Sequence, residues 1–184
     1  MRVLLTVVLF AGVLNSPLLA FDTRNGGPRL RPQDPRSVQI LKEGMARSAT
    51  LRALVDRIEA SQVIVYVSIN PILKSSLSGA LTWMTRAGEF RYVRASISNE
   101  LTFNQMIATV AHELQHAVEV LEDESVIDEA SLVAMYKRIG EPSSAGGPLG
   151  WETLEAQRMG GQVRRELVAE PVTMWARVST WSQS

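Results

Sequence analysis

Cysteine is absent from this chain of 184 residues, which removes both a disulfide framework and a thiolate that could act as nucleophile or metal ligand. Histidine is nearly absent, with two in the whole sequence. Net charge is lacking as well, because 19 Lys and Arg balance 19 Asp and Glu, and a chain so balanced has no basic footprint for nucleic acid. Stability must therefore come from a packed core. The composition, 46% hydrophobic and 21% charged, is that of an ordinary globular protein, and the length fits one domain that buries enough surface without covalent staples.

Residues 1–20, MRVLLTVVLFAGVLNSPLLA, start positive at Arg2, run apolar from Val3 to Leu14 and end on the small Ala20, the layout of a secretory signal peptide. The apolar run is short for a membrane span, which needs roughly 20 residues, so an uncleaved anchor is the alternative and no stable span is expected after cleavage. Residues 21–36 are dense in Gly, Pro and Arg and read as a flexible leader. A single domain is expected over 37–184, in an exported protein that is secreted or periplasmic.

Within it, Ser37 is placed to cap a helix whose apolar positions Val38, Leu41, Met45, Leu51, Leu54, Val55 and Ile58 recur at roughly helical spacing to Ala60. Gln62 to Ile69 is β-branched and aromatic and stops at Asn70-Pro71, the mark of a buried strand. Leu73 to Gly79 reads as loop. Ala80–Arg86 and the stretch from Phe90 form a hairpin, giving at least three strands. The pattern then becomes helical from Thr102 to Glu122, from about Asp123 to Ile139, and from Trp151 to Ala169, closed by Pro171. A tail with two tryptophans is expected to pack on the body. The fold class is α+β: a small, mostly antiparallel sheet on a long helix, with further helices C-terminal.

Both histidines lie in Ala108 to Val120, ATVAHELQHAVEV. Phe103, Ile107, Val110, Leu114, Ala117 and Leu121 form one apolar stripe. At about 100° per residue, His112 and His116 project together, roughly 200° from its centre. Two imidazoles at i and i+4 can converge on one ion, with Glu113 beside it.

The stretch His112-Glu113-Leu114-Gln115-His116 resembles the signature of the zincin metallopeptidases. That resemblance implies a zincin-like fold, Zn2+ held by His112 and His116, and Glu113 as the general base of peptide hydrolysis by a metal-activated water. It implies a peptide or protein substrate, whose extended backbone pairs along a sheet edge at Ala80 to Arg86. Trp83 and Met84 read as core. The alternative is a non-catalytic exported domain with a structural zinc or no metal.

A catalytic zinc keeps three protein ligands, and with both histidines used the third must be Asp or Glu. The metzincin pattern is excluded, since it needs Gly and His where this chain has Glu119 and Glu122. The Glu119 Cα lies about 10 Å along the axis from that of His112, so Glu119 reads as a solvated carboxylate or one that orients a ligand histidine. Glu152, Ala156, Met159, Val163 and Leu167 step by four, three, four and four, setting Glu152 on the buried stripe of the third helix. This resembles the gluzincin arrangement, a glutamate from a later helix, and implies Glu152 as ligand; a dipole-favoured carboxylate in the first helical turn is the other reading. Asp128 and Glu129 rank below it, as supporting groups or N-terminal helix charge. Tyr136 can stabilise the oxyanion, although a half-buried packing residue is the plainer reading.

Overall fold

The computed structural model describes residues 27–73, 76–143 and 150–169. The signal-peptide segment, residues 21–26 of the leader and the tryptophan-bearing tail lie outside the described residues.

The described chain begins with a short strand, β1 (Leu30–Pro32), inside the stretch expected to be a flexible leader. Its N–H and carbonyl groups pair in parallel with β2 (Val63–Asn70). Helix α1 (Pro35–Arg47) starts before Ser37, because Asp34 is the cap and Pro35 fits a first-turn position where no N–H is needed. One Asp34 oxygen accepts from Ser37 N at 2.8 Å and the other from Ile69 N at 3.0 Å. Burial raises its carboxyl pKa, but these backbone donors outweigh that and leave it lowered. The single helix expected to reach Ala60 is two. Ser48 breaks it and caps α2 (Ala49–Glu59) by accepting from Leu51 N at 3.0 Å.

Strands β3 (Gly79–Ala87) and β4 (Phe90–Ser98) form the expected hairpin, turned at Gly88 with φ +59°. The sheet order is β1-β2-β4-β3. Antiparallel pairing is confined to the hairpin, while β1–β2 and β2–β4 run parallel, so the sheet is mixed rather than mostly antiparallel. The cause is topological: β4 returns from the hairpin into the place beside β2, in the direction of β2. That leaves β3 on the edge. A bulge between Trp83 and Thr85 interrupts its register, and Met84, expected in the core, is exposed. Trp83 packs partly against the core.

Helix α3 (Phe103–Glu122) is capped at Thr102 and buried on almost every side, from Met106 through Val120. It packs on β2, β3, β4, α1, α2 and α5. The segment after it is not helix at once. Arg91, itself buried, donates to the carbonyls of Val120 and Asp123 at 2.6 and 2.8 Å, consuming acceptors freed at the end of α3. The next helix, α4 (Glu129–Ile139), starts six residues later than expected, capped by Asp128. Strands β5 (Glu141–Pro142) and β6 (Trp151–Glu152) form a small antiparallel ribbon. Finally α5 (Leu154–Ala169) packs on α3. The class is α+β, a small sheet on a long helix with further helices after it. Among the described residues no helix is long and apolar enough to cross a membrane.

Candidate metal centre

His112 and His116 occupy adjacent turns of α3 with ring centroids 4.8 Å apart and planes at 82°. That side of the helix is not a free surface: β6, α4 and α5 pack about it, leaving His116 5% exposed and His112 partly exposed to a cavity. Glu152 reaches them from β6. The correction to the sequence reading lies in the element: α5 begins at Leu154, so the glutamate is delivered by a strand rather than by a helix stripe. One ligand atom from each of His112, His116 and Glu152 lies within 4.8 Å of the others.

Glu152 Oε2 stands 3.1 Å from His112 Nε2. The two are close enough for an ion pair but are not aligned as a hydrogen bond, and Oε2 is buried with no hydrogen-bond partner. Two electron-pair donors that approach without pointing at each other are what ligand atoms around a shared ion do. In a tetrahedron with bonds of about 2.0–2.1 Å, ligand atoms lie about 3.3 Å apart.

His116 is oriented by a chain of contacts. Its Nδ1 is 2.8 Å from Glu119 Oε2, and Thr153 Oγ1 donates to Glu119 Oε1 at 2.5 Å. Thr153 Oγ1 also accepts from Ala156 N at 3.1 Å, capping α5. A carboxylate at Nδ1 fixes the proton there and leaves Nε2 its lone pair. Sequence reasoning gave Glu119 this role as one of two options; it missed Thr153, whose signal was a capping residue just before a helical pattern.

Glu113 is 3% exposed, and its Oε2 has no partner. Burial drives its carboxyl pKa up, against the pull of His116 and His112. Burial pulls the His112 imidazole down, but Glu152 and Glu113 raise it above its ordinary value. Glu152 itself is lowered, since the His112 contact outweighs burial. Glu113, Glu119 and Glu152 thus converge on two imidazoles, and no described Lys or Arg forms an ion pair with any of them. Of the three, Glu113 is the one both buried as a whole and without a partner on Oε2, and an unpaired buried carboxylate costs several kcal/mol. A divalent cation relieves that cost, and two imidazoles with one carboxylate are a donor set that suits zinc.

Gly79, at the start of β3, lies against Glu113: a Cβ there would fall 2.5 Å from Glu113 Oε1 and 2.7 Å from Thr109 Cγ2. The edge strand therefore touches the carboxylate through bare backbone. Tyr136, from α4, stacks edge-on to His116 at 5.3 Å, and its hydroxyl is buried without a partner. Burial first, then the surrounding glutamates, raise its pKa well above the ordinary phenol value, so it stays a donor. Asp128 and Glu129 do not join the cluster. Asp128 accepts from Ser131 N at 2.8 Å as the cap of α4, and Glu129 is exposed in the first turn.

Two cavities open on the cluster, of about 330 and 280 Å3, and both are lined by Gly79, Glu113 and Glu152. The first extends along α5; the second extends along β3 toward Trp83 and Tyr136. The chain matches no family model, no curated protein and no solved structure.

Proposed function

We propose that the chain is a zinc-dependent peptidase in which His112, His116 and Glu152 hold the metal and Glu113 is the general base. One observation carries this reading above others: a buried, unpartnered carboxylate next to a His, His, Glu cluster on the floor of an open cleft. Zinc, when bound there, supplies a Lewis acid that lowers the pKa of water and polarises a carbonyl.

The protein's own groups account for the rest. Glu113 takes a proton from the attacking water as the new C–O bond forms, then passes it to the amine that leaves when the C–N bond breaks. Burial raises its pKa above the ordinary carboxylate value, which makes it a stronger proton acceptor. Tyr136 donates its free hydroxyl to the developing oxyanion. Glu119, held by Thr153, keeps His116 in the tautomer that ligates. The open edge of β3 offers backbone groups to an extended substrate, beside the carboxylate rather than across the molecule from it. The layout of residues 1–20 supports export.

The purified chain is expected to carry about one zinc by elemental analysis. Glu113→Gln is expected to keep that zinc and lose hydrolysis of a mixed peptide library. Hydrolysis retained by the variant would remove Glu113 from the mechanism. Glu152→Ala is expected to weaken zinc binding by at least about 100-fold, and an affinity equal to the parent's would strike Glu152 from the ligand set.

A further inference from the structure

The two cavities differ in charge. Arg164 is the sole cationic side chain among the described residues lining either of them, and it lines the one along α5. Gln157, Gly160, Gly161 and Arg164 are spaced at i, i+3, i+4 and i+7, so they form one face of α5 turned to this cavity. Gly160 sits against His112, where a Cβ would come 3.2 Å from His112 Cβ. Arg164 lies four residues further, about 6 Å along the helix axis, which one or two residues of extended chain cover at roughly 3.3–3.6 Å each. No hydrogen bond or ion pair with described residues engages its guanidinium. The other cavity is mainly apolar and bears Glu129.

β3 sets the direction. The Arg164 cavity adjoins the start of β3 at Ser78 and Gly79, and the Glu129 cavity follows the strand to Trp83. A peptide pairing antiparallel to β3 therefore runs its C-terminal half toward Arg164 and its N-terminal half past Glu129. The opposite direction sets an amino terminus beside the cation and a carboxyl terminus beside the glutamate.

We propose that Arg164 determines specificity by binding a substrate carboxylate one or two residues on the C-terminal side of the cleaved bond. This rests on the peptidase reading for the meaning of "cleaved bond", but the carboxylate site itself can be tested without turnover. The carboxylate has two sources, a free chain terminus or an acidic side chain.

The test uses the full chain, zinc-loaded, with Glu113→Gln to prevent hydrolysis. Calorimetry follows an acetylated pentapeptide of alanine and phenylalanine in three forms: free acid, C-terminal amide, and amide with glutamate at the last or next-to-last position. At least one acidic form is expected to bind about tenfold or more tighter than the plain amide, as for a charge-assisted contact. Adding Arg164→Gln is expected to cut that preference below about twofold, and Arg164→Lys to keep part of it, at unchanged zinc content. Tight binding of the free acid alone identifies a site for chain termini; tight binding of the glutamate form identifies side-chain recognition. No preference for either acid, no binding of any form, or a preference that survives Arg164→Gln overturns the proposal. Cleavage of the plain amide by the native chain without an acid preference sinks this inference alone. An acid preference in a native chain that cleaves nothing sinks the peptidase reading alone.

Discussion

Among single residues, Glu119 links the His112, His116, Glu152 cluster to the rest of the protein. It is 7% exposed, bonded to His116 on one oxygen and to Thr153 on the other. Changing it to Gln keeps the shape but turns one of those oxygens into a donor, which faces either Nδ1–H of His116 or Oγ–H of Thr153. Glu119→Gln is therefore expected to weaken zinc binding about 10- to 100-fold, measured by competition with a chromogenic chelator, without the complete loss expected of a ligand change. Binding as tight as the parent's would show that His116 needs no orienting partner. The histidine pair and Glu113 could be read directly from residues 112–116, because helical spacing alone brings i and i+4 together. Glu152 was singled out for a reason that does not hold, although it does join the histidine pair. Its apparent place on an apolar stripe came from extending helical periodicity through Trp151 to Thr153, where the chain is still strand and cap.

Among the elements, α5 matters most, since it closes the cluster through Thr153 and presents Arg164. Its far end is anchored by Glu166, which accepts from Ser48 Oγ at 2.5 Å, Thr50 Oγ1 at 2.6 Å and Thr50 N at 3.2 Å. A carboxylate at the start of α2 also meets the positive end of that helix. Burial alone would raise its pKa, but these donors hold it at about 2 against an ordinary 4.5. A carboxyl depressed on folding stabilises the protein above its unfolded pKa and stops doing so as pH falls through the folded one. The advantage of the parent over Glu166→Gln is thus expected to be full above about pH 4.5 and to vanish toward pH 2, at about 1–2 kcal/mol once screening at this partly exposed site is allowed for. Urea unfolding of both proteins across that range measures it, and an equal gap at all pH values would rule out ionisation as its source. Neither the break at Ser48 nor this anchor was predicted. The interval of six from Met45 to Leu51 was a trace of the break, but no local pattern announces a partner 118 positions away.

For the molecule as a whole, the question is how far a metal bound at the proposed site would hold the fold together. The core joins β2, β4, α1, α2 and α3 through side chains such as Ile40, Leu51, Ile58, Val65 and Ile107, all with no exposed surface, and none of them depends on the cluster. Zinc is expected to add only its binding linkage, about 2.7 kcal/mol at a hundredfold excess over Kd, or roughly 5–10 °C in melting temperature for a chain of this size. Melting with and without a chelator checks this, and global unfolding on chelation would favour a structural zinc over a catalytic one. The sequence by itself determined the class of each main element, the hairpin and the helix that carries both imidazoles, because periods of 2 and 3.6 and capping residues act over a few neighbours. It did not determine which strands run parallel, that β3 is the edge strand beside Glu113, or that a two-residue strand and the face of α5 complete the cleft. Those are contacts between segments far apart in the chain, chosen by the burial of α3 on nearly all its sides, and only the folded arrangement expresses them.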